Sequence, residues 1–371
     1  MNKKIAFFPW VSFEEPIKFK EIELIPYRKG ELPGGEEQAI LDKIGSLHKI
    51  HSQLEIYSGT LIRYKDELLI SILEEKDLSR LYLFSDVLAF SALSSRQFFS
   101  YNYTNKSSFQ LFVYPYDEKK EHISIISRRT DGEAMSAIPL EYYSVIRPFY
   151  CCDDSPKCDQ ILISKIYEFA QITAGKNIFE SIQIFNIANT DSDQLYKHIE
   201  ITLLCGALER LFGINGGKYS NLEREFTKYV QPKMRVEPKH CDRIKNYPKQ
   251  DKVNSIIKKG KSLTEVWLSD FFLLRGEYAH GRIRSSQEPI WSLSEHILFS
   301  SFIFPLVVKA MMNKNLDYEL NSSDKLHLDS FELLLCSKPF EGNKPETHSF
   351  TWNNILTKAS SATILFNLMN S

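Results

Sequence analysis

The sequence predicts an α+β protein: a sheet-rich mixed domain over residues 1–150, a helical bundle over 160–337 and a C-terminal extension over 338–371. Three observations lead there. Apolar residues come in short β-branched or aromatic runs before residue 150 and recur with a helical period after 160. The 371 residues suffice for two cores of ordinary size. A hydrophobic share of 43% with 25% charged residues is that of a globular chain, not a disordered one.

The first half reads mostly as strands. "KIAFFPWVSF", "IKFKEIELIPY", "QLEIYSGTLIRY" and "ELLISILEE" are separated by polar or Gly/Pro punctuation such as "RKGELPGGEE". "SFQLFVYPY" and "HISIISRR" flank the polar "DEKKE" and are expected to pair as a hairpin. One helix, about 78–96, interrupts the strands with "LSRLYLFSDVLAFSALSS". No internal repeat and no low-complexity tract is present, and no motif assigns this half a chemistry. A sensing or positioning role, with a protein or ligand trigger, is the expectation for it.

The basic, briefly apolar start "MNKKIAFFPWVSF" contains Pro9 and lacks a small-residue cleavage site, so it is not read as an export signal. The long apolar run at 297–312 carries Ser300, Ser301, Pro305 and Lys309 and is shorter than the ~20 residues a membrane span needs. A buried helix, no membrane association and a cytoplasmic protein are expected.

"YCCDDSPKCDQ", 150–160, reads as a polar boundary. Its cysteines, with His240 and Cys241, lack the closely paired Cys spacing of zinc sites, so neither a metal nor another cofactor is expected. Six Cys in so long a chain do not make a disulfide scaffold, and Cys205 and Cys336 sit in apolar helical patterns as reduced core thiols do.

From residue 160 the period is helical. "ILISKIYEFAQI" opens it, followed by "TAGKNIFE", read as irregular. The next helix is expected from about Asp191 to Phe212, with Asp191 and Gln194 as a capping pair and Gly213 at the exit. "SLTE" at Ser262 and "SLSE" at Ser292 are capping boxes that start two further helices. In the first, Trp267, Phe271, Leu274 and Tyr278 form an apolar stripe. Pro305 should kink the second, and a last helix covers roughly 322–337.

"FFLLRGEYAHGR", 271–282, places Arg275 and His280 at the end of such a helix. Five residues apart on a regular helix means ~140° of rotation and ~7.5 Å of rise, so the two diverge unless the backbone deviates or a second chain supplies the complement. Gly276 and Gly281 favour such a deviation. Basic residues are also favoured near any helix C-terminus by the macrodipole. The residues alone leave both readings open.

"LLRGEYAHG" resembles the Arg-x-x-x-x-His signature of the HEPN superfamily. With "ITLLCGALERLF" on an earlier helix, the chain is most similar to the Apea-like branch over roughly 160–337. The resemblance implies metal-independent endoribonuclease activity, often in prokaryotic toxin or antiviral defence systems, and a homodimer that brings two Arg275–His280 pairs to one cleft. It assigns acid–base chemistry to His280 and phosphate binding to Arg275. A His titrating near neutrality moves protons, and a permanently charged guanidinium holds a phosphate. Cleavage would leave a 2′,3′-cyclic phosphate. Two departures stand out: Gly276 follows the Arg where a polar residue is common, and Arg282 stands where some HEPN toxins carry a regulatory Tyr. The first favours the alternative, a non-catalytic HEPN-like RNA- or nucleotide-binding and dimerisation module.

Supporting roles fall to Glu209 and Glu277. Glu209 lies on a helix apolar nearly all round, where a carboxylate needs a partner, and Arg275 is the candidate. Glu277 lies inside the motif, and Tyr278 reads as packing. The net charge of −1 is uninformative, but residues 218–261 hold thirteen Lys/Arg against five Asp/Glu. Lys233, Arg235 and Lys239, joined by Arg282 and Arg284, are candidate RNA contacts, with Tyr229 and Tyr247 as stacking rings. A merely solvated lysine-rich loop is the competing reading.

Overall fold

The structure is a computed structural model that describes residues 3–31, 35–50, 54–65, 69–100, 104–116, 122–139, 142–148, 151, 155–172, 175–214, 219–279, 288–341 and 348–369. The class is α+β, as expected: antiparallel sheet first, helices after. The chain divides into two compact units, one of residues 1–96 with 102–164, the other of residues 97–101 with 165–371. This differs from the partition expected at 150–160. A helix crosses the division, and the segment 338–371 belongs to the second unit.

Unit 1 comprises β1 (Lys3–Phe8), β2 (Ile17–Phe19), β3 (Ile22–Arg28), α1 (Gly35–Ser46), β4 (His48–Ile50), β5 (Leu54–Glu55), β6 (Ser58–Tyr64) and β7 (Ser71–Ile72). There follow α2 (Glu75–Ser94), β8 (Phe112–Tyr116), β9 (His122–Arg129), β10 (Gly132–Pro139), β11 (Val145–Ile146) and the start of α3 (Gln160–Ala170). The main sheet runs β2-β3-β6-β1-β7, with β8 also on β1. β1 is central, and Ile5–Phe8 are buried on both faces, which explains an apolar run without alternation. Leu41 of α1 joins Phe7, Tyr27 and Leu61 on one face, while Phe84 of α2 meets Phe19 from the other. The hairpin expected between β8 and β9 does not form: β8 pairs with β1, and β9 pairs with β10 across a two-residue turn. Gly132, at φ +133°, takes a conformation that there suits glycine alone.

Unit 2 is built from α4 (Lys176–Ala188), α5 (Lys197–Leu211), α6 (Tyr219–Phe226), α7 (Asp242–Lys245), α8 (Gln250–Lys258) and α9 (Leu263–Ala279). α10 (Leu293–Asn315), α11 (Ser322–Asp329), α12 (Phe331–Cys336) and α13 (His348–Met369) complete it. α5 is the hub, packed against α4, α9 and α10. It starts at Lys197, not Asp191. Asp191 sits at φ +52°, which an N-cap cannot adopt, whereas Gly213 does close the helix at φ +62°. "TAGKNIFE" is not irregular after Gly175: it enters α4. The expected helix 322–337 is two helices, broken at Ser330. α13 was not foreseen, and its Trp352 is buried among Phe98 and Phe302.

Both capping boxes form. Ser262 and Glu265 exchange backbone hydrogen bonds at the start of α9, as do Ser292 and Glu295 at the start of α10. α10 runs through Pro305, and 89% of its most apolar window is buried inside the protein; among the described residues it is the one helix long and apolar enough to cross a membrane. Its Lys309 is buried on Asp324 at 3.1 Å, which satisfies a charge that would otherwise be very costly there. Asp270 of α9 accepts from the Ile290 and Trp291 amides at 2.7 and 3.2 Å, fixing the chain just before α10.

Candidate functional site

Trp267, Phe271 and Leu274 are buried, so the core stripe of α9 is real, but it ends at Leu274. Arg275 therefore emerges one turn before the helix ends at Ala279. α5 and α9 run antiparallel, with His198 near Tyr278 and Glu209 near Arg275. Arg275 Nη2 donates to Glu209 Oε2 at 2.8 Å, with the side chains 21% and 11% exposed. The guanidinium also lies 5.9 Å from the Phe272 ring centroid, and its buried Nε has no hydrogen-bond partner among the described residues. Burial first, and then the Glu209 charge, push the neighbouring Cys205 thiol far up, against the pull of Arg275. That thiol is inert at neutral pH.

Gly276 follows Arg275 within the helix, and a Cβ built there would meet nothing within 4 Å among the described residues. Packing against the described residues does not require glycine at this position.

Tyr278 is not packing. It is 36% exposed and its ring lies 5.6 Å from His198, which in turn stacks on Tyr196 at 5.7 Å and 6°. The three rings line the junction where α9 ends and α5 begins. Lys197, beside them, donates to Ser294 at 2.8 Å. Glu200, in the same turn of α5, is pushed up to about 7 by burial and by Asp191, with Lys197 opposing. A carboxylic acid titrating near neutrality is a candidate acid–base group. Tyr196, His198 and Glu200 escaped the sequence reading. The signal was there in "YKHIE", two ring side chains and a carboxylate at a helix start.

His280, Arg282 and Arg284 lie outside the described residues. Glu277 is half-buried on α9. Of the basic candidates, Lys233 pairs with Asp329 at 3.2 Å and Lys239 with Glu237 at 2.5 Å, while Arg235 is exposed. The local positive excess is thus partly neutralised. Neither tyrosine of this region is a stacking platform. Tyr247 is buried and donates to the Glu288 carbonyl at 2.5 Å; Tyr229 carries Phe212 stacked at 6.0 Å and Lys314 over its ring at 5.5 Å.

A second feature continues from Arg275 along α9. Phe272 meets Tyr219 at 5.8 Å, and Lys261 lies 4.8 Å over the Tyr219 ring. Lys261 also lines a cavity of about 240 Å³ with Lys259, Ser269 and Asp270. Among the described residues, no three His, Cys, Asp or Glu side chains gather to hold a metal ion.

Comparison of the chain with protein-family models, with curated proteins and with solved structures returned no match. Function is therefore argued from the site. A half-buried guanidinium held by a carboxylate, on a helix whose last turn meets the Tyr196–His198 stack through the tilted ring of Tyr278, is compatible with a phosphate carrying unpaired bases.

Proposed function

We propose that the protein is a HEPN-type endoribonuclease acting as a cytoplasmic homodimer, in a prokaryotic defence or toxin setting, with unit 1 receiving the trigger. The observation that carries this reading is the Arg275–Glu209 pair at the end of α9. A carboxylate locked on one side of the guanidinium orients its other donors, as a residue that must meet a phosphate needs. Arg275 would hold the scissile phosphate and stabilise the charge that grows on its oxygens. His280, five residues on, would take the proton of the 2′-hydroxyl or return one to the leaving 5′-oxygen. Tyr196, His198 and Tyr278 would stack the flanking bases, which requires them unpaired and makes single-stranded RNA the substrate.

The second reading is a HEPN-like module that binds RNA or nucleotides, or dimerises, without cutting. Gly276, where a polar residue is common after the motif Arg, favours it. Incubation of purified protein with total RNA in excess EDTA, beside His280→Ala, separates the two. Cleavage by the wild type alone supports the nuclease; RNA retention without cleavage by either supports the module. A monomeric mass at micromolar concentration with full activity would remove the dimer.

A further inference from the structure

The cavity of about 240 Å³ in unit 2 has no part in the ribonuclease reading. It lies where α8 gives way to α9. α8 ends at Lys258, Gly260 turns the chain at φ +61°, and Ser262 caps α9. Ser255, Ile256 and Lys259 fall at i, i+1 and i+4 along α8 and its C-cap, and line one wall. Val266, Ser269 and Asp270, at i, i+3 and i+4 on α9, line another, and Ile290 adds a third. The volume exceeds the roughly 150 Å³ that admits benzene, so the cavity has room for a small organic molecule.

What the walls offer selects the molecule. Ile256, Val266 and Ile290 are buried and give an aliphatic floor. Lys261 is held by Glu223 at 2.9 Å, over the Tyr219 ring. Lys259 is exposed and makes no ion pair among the described residues, so it is the cation a ligand can engage. Asp270 is occupied: its Oδ2 accepts the Ile290 and Trp291 amides and faces His296 Nε2 at 3.3 Å. The first amides of α9 are taken as well, Ser262 by Glu265 at 2.6 Å and Thr264 by Glu332 at 3.2 Å, so the helix end is not the anion site. Among the described residues no Arg lines the cavity. A lysine ammonium is a point charge without the planar fork that matches a carboxylate, and it suits a tetrahedral phosphate.

We propose that the cavity binds a small phosphate monoester with a short hydroxylated body, a phosphorylated polyol or sugar. Lys259 pairs with the phosphate, and Ser255, one turn away on α8, offers its hydroxyl beside it. Ser269 meets a hydroxyl of the body, whose carbon face packs on Ile256, Val266 and Ile290. Arg275 takes no part, so the site goes beyond the ribonuclease reading and stands whether or not the protein cuts RNA.

The test is calorimetric titration of the intact chain at low salt with glycerol phosphate, sorbitol phosphate, glycerol and sorbitol. At least one of the two phosphates should bind with saturating heat that fades as salt rises, and neither parent polyol should bind. Lys259→Gln should weaken that binding roughly tenfold or more, as loss of a charged hydrogen bond does. Lys358→Gln, at an exposed lysine of α13, should leave it unchanged. Ser269→Leu should fill the cavity and abolish binding. Lys259 is exposed, so its variant should melt with the wild type and keep the test decisive even if Ser269→Leu folds poorly. Failure of both phosphates to bind at millimolar concentration overturns the proposal. Equal affinity in Lys259→Gln and Lys358→Gln does so too, as does binding of the bare polyols as tightly as their phosphates. None of these outcomes depends on ribonuclease activity.

Discussion

Glu209 and Arg275 face each other from α5 and α9, carboxylate to guanidinium at 2.8 Å, with the carboxylate side chain only 11% exposed. Removing either charge breaks this ion pair in a poorly solvated place. Glu209→Gln should therefore destabilise unit 2 by about 1–3 kcal/mol, read as a lower urea midpoint. Arg275→Ala combined with Glu209→Ala should cost less than the sum of the single changes. Strict additivity in that cycle would mean the pair is only a surface contact.

The proposed catalysis rests on Arg275 and His280 together. His280→Ala should lower cleavage by about 10²–10⁴ and Arg275→Ala by about 10²–10³. The double variant should be little worse than the poorer single, because groups acting on one phosphate fail together. Arg275→Lys should not rescue, since an ammonium lacks the planar fork. Wild-type products should end in a 2′,3′-cyclic phosphate. Matching thermal melts must accompany each variant, and full cleavage by a folded His280→Ala protein would end the nuclease assignment.

The ring stack should set a preference for unpaired RNA. Tyr278→Ala and Tyr196→Ala should each weaken binding of a single-stranded oligonucleotide by about 1–3 kcal/mol and leave duplex binding unchanged. Measuring this with a 2′-O-methyl oligonucleotide, which cannot be cut at its 2′-oxygen, separates binding from chemistry. Equal loss on duplex and single strand would point to a damaged fold instead.

His48 makes a separate prediction about acid. It is fully buried in unit 1, 2.9 Å from the Tyr114 hydroxyl and ringed by Phe7, Trp10 and Phe112. Burial brings its pKa down to about 3. The folded state thus refuses a proton that the unfolded chain accepts from about pH 6.5 downward. Between those values the unfolded state holds more protons, so stability present above about 6.5 is lost as pH falls toward 3, by up to about 1.4 kcal/mol per unit. His48→Gln, which keeps a hydrogen-bond acceptor for Tyr114, should flatten the fall in urea midpoint between pH 7 and pH 5. An unchanged slope would show that other groups govern acid unfolding.

Several of these relationships were legible in the sequence because they are local. A capping box satisfies its own backbone within four residues, so Ser262 with Glu265 and Ser292 with Glu295 declared two helix starts without any tertiary knowledge. The change of period near residue 160 likewise announced sheet before bundle. Glu209 could be matched to Arg275 because a carboxylate on a helix apolar nearly all round must find a cation.

What the sequence determined by itself was the α+β order, the capped helices and the place of Arg275 near a helix end. Only the tertiary structure decided which neighbours cover each stretch. Tyr278 continues the spacing of Trp267, Phe271 and Leu274, yet it stays 36% exposed, with its ring tilted against His198. Tyr247 looks like a loop aromatic but is buried on the Glu288 carbonyl. β8 pairs with β1 across about a hundred residues of chain. Periodicity reports that one face of an element is buried. It does not carry the identity of the partner or how far along the element that partner reaches, because both are set by contacts between distant segments.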